Sequence, residues 1–443
     1  MNLKVCMCVV AVLSFCVPAR GAIWYVDVSN TSGTENGLTW ETAFTTIQPA
    51  IDAADSDGGG EVWVAEGTYD ENRPASSTGA LILKGGVDLY GGFNASEAAI
   101  TERNWKSNPT LIDGAVARGG QKAYHVVIGD SDVILDGFVI LNGKANGTYP
   151  NLESLGGGIY LDSASKPVAE LPFTVINCSI TQNEAFMGGA VYINTNSVMN
   201  ASNCAFISNV TGNNGGAIYN FEGTLKLDKC MVASNQAYYG GGIYAARTPM
   251  TQLTNCVFAD NDCSLVGGGI CIDQSTSLCT VANCTFWGNS ASDGGAVCGN
   301  NSATVSVVNS IAWNNTGTYE ITGINVSVDY CDIEDRAPSG HNIQADPLFI
   351  GADLNDFRLQ GSSPCLDAGT QDGAPEDDFR GVERPQILGV DMGAYEMCVE
   401  TLASRCGAVN SDANTKEARG DAVVFAILLS FCWIGTHTRK RKV

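Results

Sequence analysis

A pair of short motifs recurs through the middle of this chain with a period near 26 residues. One motif reads Gly-Gly, a small residue, Ile or Val, and then Tyr or Cys. The other reads Asn-Cys, any residue, an apolar residue and, three positions later, Asn. A fixed period of this size indicates one supersecondary unit stacked on copies of itself. The unit is too short for a βαβ motif, which needs about 30 residues, and too rich in Gly, Asn and β-branched residues for paired helices.

The apolar residues alternate over short runs, as in residues 305–309, and this alternation is typical of strands. Two or three short strands joined by Gly and Asn bends would make one coil of a parallel β-helix. Adjacent coils would lie about 4.8 Å apart, so that residues one period apart stack in columns along the axis. We therefore predict an all-β solenoid.

The spacing predicts a column of cysteines and a column of asparagines. The cysteines are separated by 26, 26, 26 and 28 residues and are Cys178, Cys204, Cys230, Cys256 and Cys284. The asparagines are Asn183, Asn209, Asn235, Asn261 and Asn289. Stacked cysteines point in parallel, which suits packing in a narrow interior better than serial disulfides or a metal thiolate stack. We expect the asparagines to lie at coil corners, to adopt left-handed backbone angles there, and to form a ladder of buried hydrogen bonds, and the Gly pairs to provide bends with positive φ.

The repeated Phe-x-x-Asn and Gly-Gly-Ala-Ile elements, over about residues 133–331, resemble the repeats of polymorphic outer membrane proteins and related surface proteins. This resemblance implies a right-handed parallel β-helix on a cell surface. Residues 346–396 contain, in order, Asp-Pro-Leu-Phe, Asp-Phe-Arg-Leu, Asp-Phe-Arg-Gly and Asp-Met-Gly-Ala-Tyr-Glu. This series is similar to the choice-of-anchor domain that follows β-helices in many bacterial surface proteins. Neither resemblance fixes an activity, because function is a property of sites rather than of folds.

Both ends of the chain carry features of an exported protein. An apolar run after Lys4 predicts a secretory signal peptide, and the apolar residues 422–435, followed by four basic residues, predict either a single-pass membrane anchor or a cleaved sorting tail. Apolar residues at helical spacing in residues 40–54 predict an amphipathic helix that covers the open end of the solenoid, although Pro49 weakens this prediction. The predicted segments are a signal peptide (1–21), an N-terminal cap with the first coils (22–132), β-helix repeats (133–345), the choice-of-anchor-like domain (346–396), a linker (397–420) and the apolar and basic tail (421–443).

The composition restricts the partners that this chain can bind. Its formal net charge is −23, so it should repel nucleic acids, and also anionic polysaccharides unless divalent cations intervene. We expect a monomer that is exported, anchored at the cell surface or envelope through its C-terminal segment, and in contact with extracellular polysaccharide or envelope components. Cys398 and Cys406 flank a short loop and could pair in an oxidising compartment, but the sequence does not determine whether they do.

Many β-helix proteins degrade polysaccharides, so a carbohydrate-active enzyme, such as a pectate-lyase-like polysaccharide lyase, is the main alternative. The chain has three histidines, and none lies in a motif with repeated Asp or Arg. The best catalytic candidates are Arg247, as a base, with Asp260 and Asp262 about half a coil later. The alternative interpretation of all three is solvated loop residues, and we expect a binding or structural role without a recognisable catalytic site.

One acidic segment has the spacing of a calcium-binding loop. Asp55, Asp57, Glu61 and Glu66 fall at loop positions 1, 3, 7 and 12, as in an EF-hand. The residues from Glu61 onward read as a strand rather than as an exiting helix, so a helix-to-strand turn is the better interpretation. Apart from this possible structural calcium, we predict no cofactor.

Overall fold

A computed structural model of the chain describes residues 21–73, 76–162, 171–335 and 339–398. These residues form a parallel β-helix, which confirms the predicted all-β solenoid. Each complete coil passes through three long sheets and, in the middle of the chain, through a fourth sheet of two-residue strands. We call these sheets 1, 2, 3 and 4 in the order in which a coil visits them.

Sheet 1 contains the strands that follow the Gly-Gly motifs, and sheet 2 contains the strands that come next along each coil. The strands of sheet 1 are Leu81–Ile82, Val127–Gly129, Ile159–Leu161, Val191–Ile193, Ile218–Phe221, Ile243–Ala246, Ile270–Asp273 and the first part of Val297–Val308. The strands of sheet 2 are Ala22–Val26, Gly60–Ala65, Val87–Phe93, Val133–Asp136, Phe173–Ile176, Val198–Ser202, Thr224–Asp228, Met250–Thr254, Leu278–Ala282, and the second parts of Val297–Val308 and Ile321–Asp329. The first part of Ile321–Asp329 pairs with the first part of Val297–Val308 in sheet 1, so these two long strands join sheets 1 and 2 into one 18-stranded sheet.

Sheets 3 and 4 complete the coil. Sheet 3 contains Gly67–Tyr69, Thr110–Asp113, Phe138–Leu141, Ser179–Thr181, Ala205–Ile207, Met231–Ala233, Val257–Ala259, Thr285–Trp287, Ile311–Trp313 and Asp332–Ile333. Sheet 4 contains Lys144–Ala145, Glu184–Ala185, Val210–Thr211, Gln236–Ala237 and Asp262–Cys263. The remaining strands, Phe349–Gly351 and Asp356–Leu359, form an antiparallel hairpin. The chain also has one α-helix, Ile47–Ser56, and the 3₁₀ turns Trp40–Thr42, Ile100–Glu102, Leu152–Ser154 and Ala352–Leu354.

Successive coils pair in register, so equivalent residues stack. In sheet 3, Phe206, Phe258 and Phe286 all point inward and are fully buried, and the last two stack with their ring centroids 4.8 Å apart. The first Gly of each Gly-Gly motif has a positive φ, as expected, and at Gly188 a Cβ atom would lie 2.3 Å from the Val191 carbonyl oxygen. A side chain at this position would therefore disrupt both the bend and its packing.

The helix at the N-terminal end differs in length from the prediction. It begins at Ile47 rather than at residue 40, where the chain forms only a 3₁₀ turn. Pro49 lies in the first turn, where its missing N–H has no intrahelical partner in any case, so it marks the start of the helix instead of breaking it. Ile47, Ala50, Ile51 and Ala54 of this helix are buried against the core of the first coils. The helix therefore covers this end of the solenoid, where strand edges and core would otherwise be open.

The asparagine column forms a continuous chain of buried hydrogen bonds. From Asn209 onward, each Oδ1 atom accepts from both the backbone N–H and the Nδ2 of the asparagine one coil earlier, for example from Asn209 to Asn235 at 2.9 and 3.1 Å, whereas the Oδ1 of Asn183 accepts from the backbone N–H of Gly143. The chain continues through Asn315 and ends at Glu320, whose two carboxylate oxygens accept from Asn315. The expectation that the ladder asparagines themselves adopt left-handed angles is wrong, because the residue before each of them, such as Ser208, has the positive φ. This corner turns the chain so that the following amide points into the interior.

The cysteine column lies in the interior at the corner between sheets 2 and 3. All five thiols are free and buried, and Cys204 donates to the Val175 carbonyl of the preceding coil. Burial raises the pKa of the Cys178 and Cys284 thiols, which keeps them protonated and disfavours metal binding or disulfide exchange. Cys398, near the end of the described chain, is disulfide-bonded.

Residues 346–398, which we call the clamp, run along the outer face of sheet 3. Phe349, Phe357 and Tyr395 of the clamp belong to one buried cluster with residues of the coils. The coil residues of this cluster include Met231, Ala233, Val257, Ala259, Trp287, Ile311 and Trp313. The corner residues just before the cysteine column also bind the clamp: Lys229 pairs with Asp377 at 2.7 Å, and Asn309 exchanges two hydrogen bonds with the backbone of Thr370. The clamp thus ties several coils together from the side.

A buried ion pair organises the clamp itself. Arg384 and Glu396 are almost completely buried and lie 2.8 Å apart. Arg384 also donates to the carbonyls of Asp391 and Gly393, and Glu396 accepts from the backbone of Gln386 and Asp391. These polar groups replace regular secondary structure as the framework of this segment.

In the described ranges, no helix has the length and apolar character needed to cross a membrane. Residues 1–20 of the predicted signal peptide, most of the linker and the whole of the tail 421–443 lie outside those ranges, so the anchor stays a prediction.

Candidate functional site

Of the three catalytic candidates, Arg247 lies at one corner of the coil, and Asp260 and Asp262 lie together at another, between sheets 3 and 4. Arg247 follows a strand of sheet 1, Asp260 follows a strand of sheet 3, and Asp262 begins a strand of sheet 4. The guanidinium of Arg247 lies 3.4 Å from the carboxylate of Glu222, which belongs to the preceding coil. Burial, with a smaller effect from Asp353, raises the pKa of Asp260. The half-coil spacing in the sequence therefore separates Arg247 from the two aspartates instead of bringing them together.

The four calcium candidates lie on a helix-to-strand turn. Asp55 is in the last turn of the helix, Asp57 follows it, and Glu61 is already in a strand of sheet 2, where it accepts a hydrogen bond from the indole of Trp63 at 2.8 Å. Glu66 follows that strand. The part of the chain that the structure describes holds no group of three or more His, Cys, Asp or Glu side chains placed to share a metal ion. Calcium binding at this turn stays a prediction.

A cavity of about 400 Å³ lies between the N-terminal helix and residues 71–84. Gln48 of its wall bonds to Asp52 and to the backbone of Ile82, and Arg73 bonds to Glu71 and to two backbone carbonyls. These polar side chains hold the cap on the first coils, so the cavity is a packing feature of that end.

The outer face of sheet 1 carries a column of tyrosines, one from each of four successive coils. They are Tyr160, Tyr192, Tyr219 and Tyr244, and the Gly-Gly motif places each of them at the same outward position. Neighbouring rings have centroids 5.8, 5.3 and 5.4 Å apart. Cys271 and Cys298 occupy this position in the next two coils. We call the surface around this column the tyrosine face.

The tyrosine hydroxyls at the two ends of the column have carboxylate partners. Tyr160 donates to Asp162 at 3.4 Å, and Tyr244 donates to Asp273 at 2.5 Å. Asp273 also accepts from the side chains of Asn300 and Asn301, at 3.1 and 2.7 Å. Both ends are therefore fixed by hydrogen bonds within the protein.

The two middle tyrosines differ. Tyr192 and Tyr219 are each 7% exposed, and their hydroxyls have no hydrogen-bond partner among the described residues. Neither hydroxyl oxygen is sealed from solvent, since neither is among the buried polar atoms without a partner. Burial, with smaller effects from neighbouring tyrosines and carboxylates, raises the pKa of both groups, so both stay protonated and can donate. The rings are thus held in the protein, and the hydroxyls face outward.

Exposed aromatic rings lie beside the column. Tyr149 is 53% exposed and contacts Phe186, and Tyr238 is 45% exposed and packs edge-on against Tyr239, which in turn contacts Tyr244. On the other side of the column, the guanidinium of Arg247 lies over the ring of Phe221 at 5.8 Å. The tyrosine face therefore combines the two unpartnered hydroxyls of Tyr192 and Tyr219, whose rings are part of a buried cluster, with accessible aromatic rings beside them.

The sequence pattern alone predicts no functional role for Tyr160, Tyr192, Tyr219 and Tyr244, although their position is part of the Gly-Gly motif. The signal was present, because a polar aromatic side chain recurs at a fixed place in the repeat, directly after an inward-facing Ile or Val. Alternation along a strand sends that residue inward and the tyrosine outward.

Comparisons with known proteins agree with the geometry. Residues 136–312 match the family model of the right-handed β-helix region. The predicted handedness is confirmed by this match, whereas the finer resemblances to polymorphic outer membrane proteins and to a choice-of-anchor domain stay predictions. A search of curated proteins found no match.

Several solved structures are similar to this chain at low identity. A pectate lyase is 12% identical to this chain, and the match covers 85% of this chain and 96% of the lyase chain with a TM-score of 0.44. A pectin methylesterase from Aspergillus niger is 16% identical, covers 70% and 93%, and has a TM-score of 0.35. No residue role carries over to this chain at these levels of similarity.

Proposed function

We propose that this protein is a non-catalytic binding protein of the cell surface that holds an extended polysaccharide along its tyrosine face. The observation that carries the proposal is the pair of outward, unpartnered hydroxyls of Tyr192 and Tyr219, flanked by the exposed rings of Tyr149 and Tyr238. Sugar rings offer hydroxyl groups for the former and apolar ring faces for the latter. Export and attachment to the envelope belong to the same proposal and rest on the two ends of the sequence.

The repeat of the solenoid suits an extended chain of sugars. Successive coils lie about 4.8 Å apart, close to the length of one sugar unit in an extended polysaccharide. A chain lying parallel to the axis would therefore meet an equivalent position of the protein at each unit. Affinity would build up from several weak contacts over successive coils.

The carboxylates at the two ends of the column are too far apart to act as a hydrolytic pair, and Glu222, which lies between them, is paired with Arg247. Asp162 and Asp273 occupy the same column of outward positions with four coil spacings between them, about 19 Å. Glycosidases need two carboxyl groups about 5–10 Å apart. Arg247, the candidate lyase base, is paired with Glu222 and separated from Asp260 and Asp262 by the course of the coil. This geometry favours binding over catalysis.

The test uses the full chain and a panel of neutral, basic and acidic polysaccharides, with and without Ca²⁺. Binding is measured by affinity electrophoresis or calorimetry, and the same samples are examined for shortened or unsaturated products. We expect binding without products, and a double variant, Tyr149→Ala with Tyr238→Ala, should weaken binding about tenfold or more, at about 1 kcal/mol for each ring contact. Leu278→Ala is the matched control, because this side chain has a similar exposure, 46%, on sheet 2.

Two results would overturn the proposal. Products that disappear in Arg247→Ala would make the protein a lyase. Binding that is unchanged in the double tyrosine variant would place the ligand elsewhere on the molecule.

A further inference from the structure

Three carboxylates border the tyrosine face, and one cation lies among them. The carboxylates are those of Asp162, Glu222 and Asp273, and the cation is Arg247, which is already paired with Glu222. The charge along this face is therefore negative, in the same sense as the net charge of −23 for the whole chain.

The carboxylates are placed close to the outward hydroxyls. Asp162 accepts from Tyr160, whose ring stacks on that of Tyr192 with centroids 5.8 Å apart, and Glu222 follows Phe221, whose ring lies 6.1 Å from that of Tyr219. Tyr192 and Tyr219 are more than nine-tenths buried and have no partner for the hydroxyl among the described residues, so these groups are fixed in position for a ligand. Phe221 and Ala246 lie between the outer carboxylates in the same column and leave its middle apolar.

This arrangement discriminates between classes of sugar. A uronate chain would place a carboxylate on each unit against fixed negative charges, with no unpaired cation in the column to offset the repulsion. A sugar with a free amino group would instead donate charge-assisted hydrogen bonds to the carboxylates, and its hydroxyls would pair with those of Tyr192 and Tyr219. An N-acetylated sugar keeps the hydroxyl contacts but loses the charge.

We infer that the ligand of the tyrosine face is a polysaccharide rich in free amino sugars, with Asp162 and Glu222 as its acceptors and the buried Asp273, whose oxygens already accept from Tyr244, Asn300 and Asn301, adding only negative charge. This inference rests on the proposed function and adds the chemical class of the bound chain to it.

The experiment compares three hexamers of equal length on the full chain: one of glucosamine, one of N-acetylglucosamine and one of galacturonate. Affinities are measured by calorimetry without divalent cations, at low and at raised salt. We expect the glucosamine hexamer to bind at least tenfold more tightly than the N-acetylated one, with an advantage that shrinks as salt is added, and the galacturonate hexamer to bind most weakly.

Variants identify the groups responsible. Glu222→Gln and Asp162→Asn should each reduce the preference for glucosamine over N-acetylglucosamine severalfold while leaving the affinity for the N-acetylated hexamer almost unchanged. Glu184→Gln is the matched control, since this exposed carboxylate belongs to sheet 4 and pairs with Lys144. A Tyr192→Phe, Tyr219→Phe double variant should weaken the binding of both hexamers, because it removes the hydroxyls that they share.

The outcomes separate the two claims. Equal affinity for the glucosamine and N-acetylglucosamine hexamers would overturn the inference about charge and leave the proposed function standing. If the galacturonate hexamer binds most tightly, the face prefers negatively charged rather than positively charged sugars, which would also overturn the inference. Failure of all three hexamers and of every polysaccharide in the panel would overturn the proposed function together with it.

Discussion

Replacing Asn235 by alanine removes the middle of the asparagine ladder. The Asn235 side chain donates to the Phe206 carbonyl and to Asn261, both at 2.9 Å, and accepts from the backbone N–H of Asn209 at 2.9 Å. Asn235 is 1% exposed, so water cannot readily replace the lost partners. In the variant, the Asn209 N–H loses its acceptor and the Phe206 carbonyl loses its donor, and both groups remain buried.

The magnitude follows from these two groups. A buried donor or acceptor left without a partner costs about 1–3 kcal/mol. The Asn209 Nδ2 keeps its bond to the Ile180 carbonyl and adds little. We therefore expect Asn235→Ala to lower the free energy of unfolding by about 2–6 kcal/mol.

The measurement is urea unfolding of the full chain followed by circular dichroism, with native-state hydrogen exchange to locate the loss. The matched control is Gln236→Ala, because Gln236 is the next residue but is exposed, and its removal should change the free energy of unfolding by less than about 0.5 kcal/mol. Exchange should accelerate at the Asn209 amide and in the coils next to it. If the two variants unfold at the same urea concentration, the ladder does not stabilise the fold in the way argued here.

Two further predictions concern buried charges. Burial raises the pKa of Glu320, which ends the asparagine ladder, to about 8, so its contribution to stability should be complete below its ordinary pKa of 4.5 and should be lost as the pH rises through 8. Unfolding measured from pH 6 to 9 should therefore show stability falling in the native chain and remaining flatter in Glu320→Gln; parallel curves would contradict this. In the clamp, Arg384→Met leaves Glu396 buried without its partner and should cost about 3–5 kcal/mol. Detachment of the clamp is measured as the reactivity of the Cys365 thiol, which is buried against Asp332 in the native chain. Adding Glu396→Gln to Arg384→Met should restore part of the protection of this thiol. If the thiol in Arg384→Met is as protected as in the native chain, the assigned role of the ion pair is wrong.

The repeat made the coils predictable because the same local sequence recurs in every coil. Cys204 and Asn209 occupy equivalent positions to Cys230 and Asn235, so one coil determines the next. The backbone angles at the corners were less predictable. The sequence marks the ladder asparagine, but the residue with the positive φ is the one before it. This residue varies and is Gln, Ser, Asp or Gly in different coils.

The clamp and the functional surface were hidden for a different reason. Lys229 and Asp377 are separated by 148 residues, and no periodicity relates one to the other. Arg247 and Asp260 illustrate the opposite error, since they are near in sequence but lie at different corners. Proximity in a solenoid follows the period rather than the distance along the chain, so pairs half a coil apart are among the least informative in the sequence.

The order in which the clamp and the coils are synthesised has a consequence for biogenesis. The coils that carry Met231, Val257, Trp287 and Ile311 on the outside of sheet 3 emerge from the ribosome well before the residues that cover them. A nascent or translocating chain can therefore complete its coils while an apolar strip along one side is still bare. Any factor that escorts this protein would have to shield that strip until residues near Tyr395 have arrived, and a chain truncated before the clamp should aggregate although its coils can form.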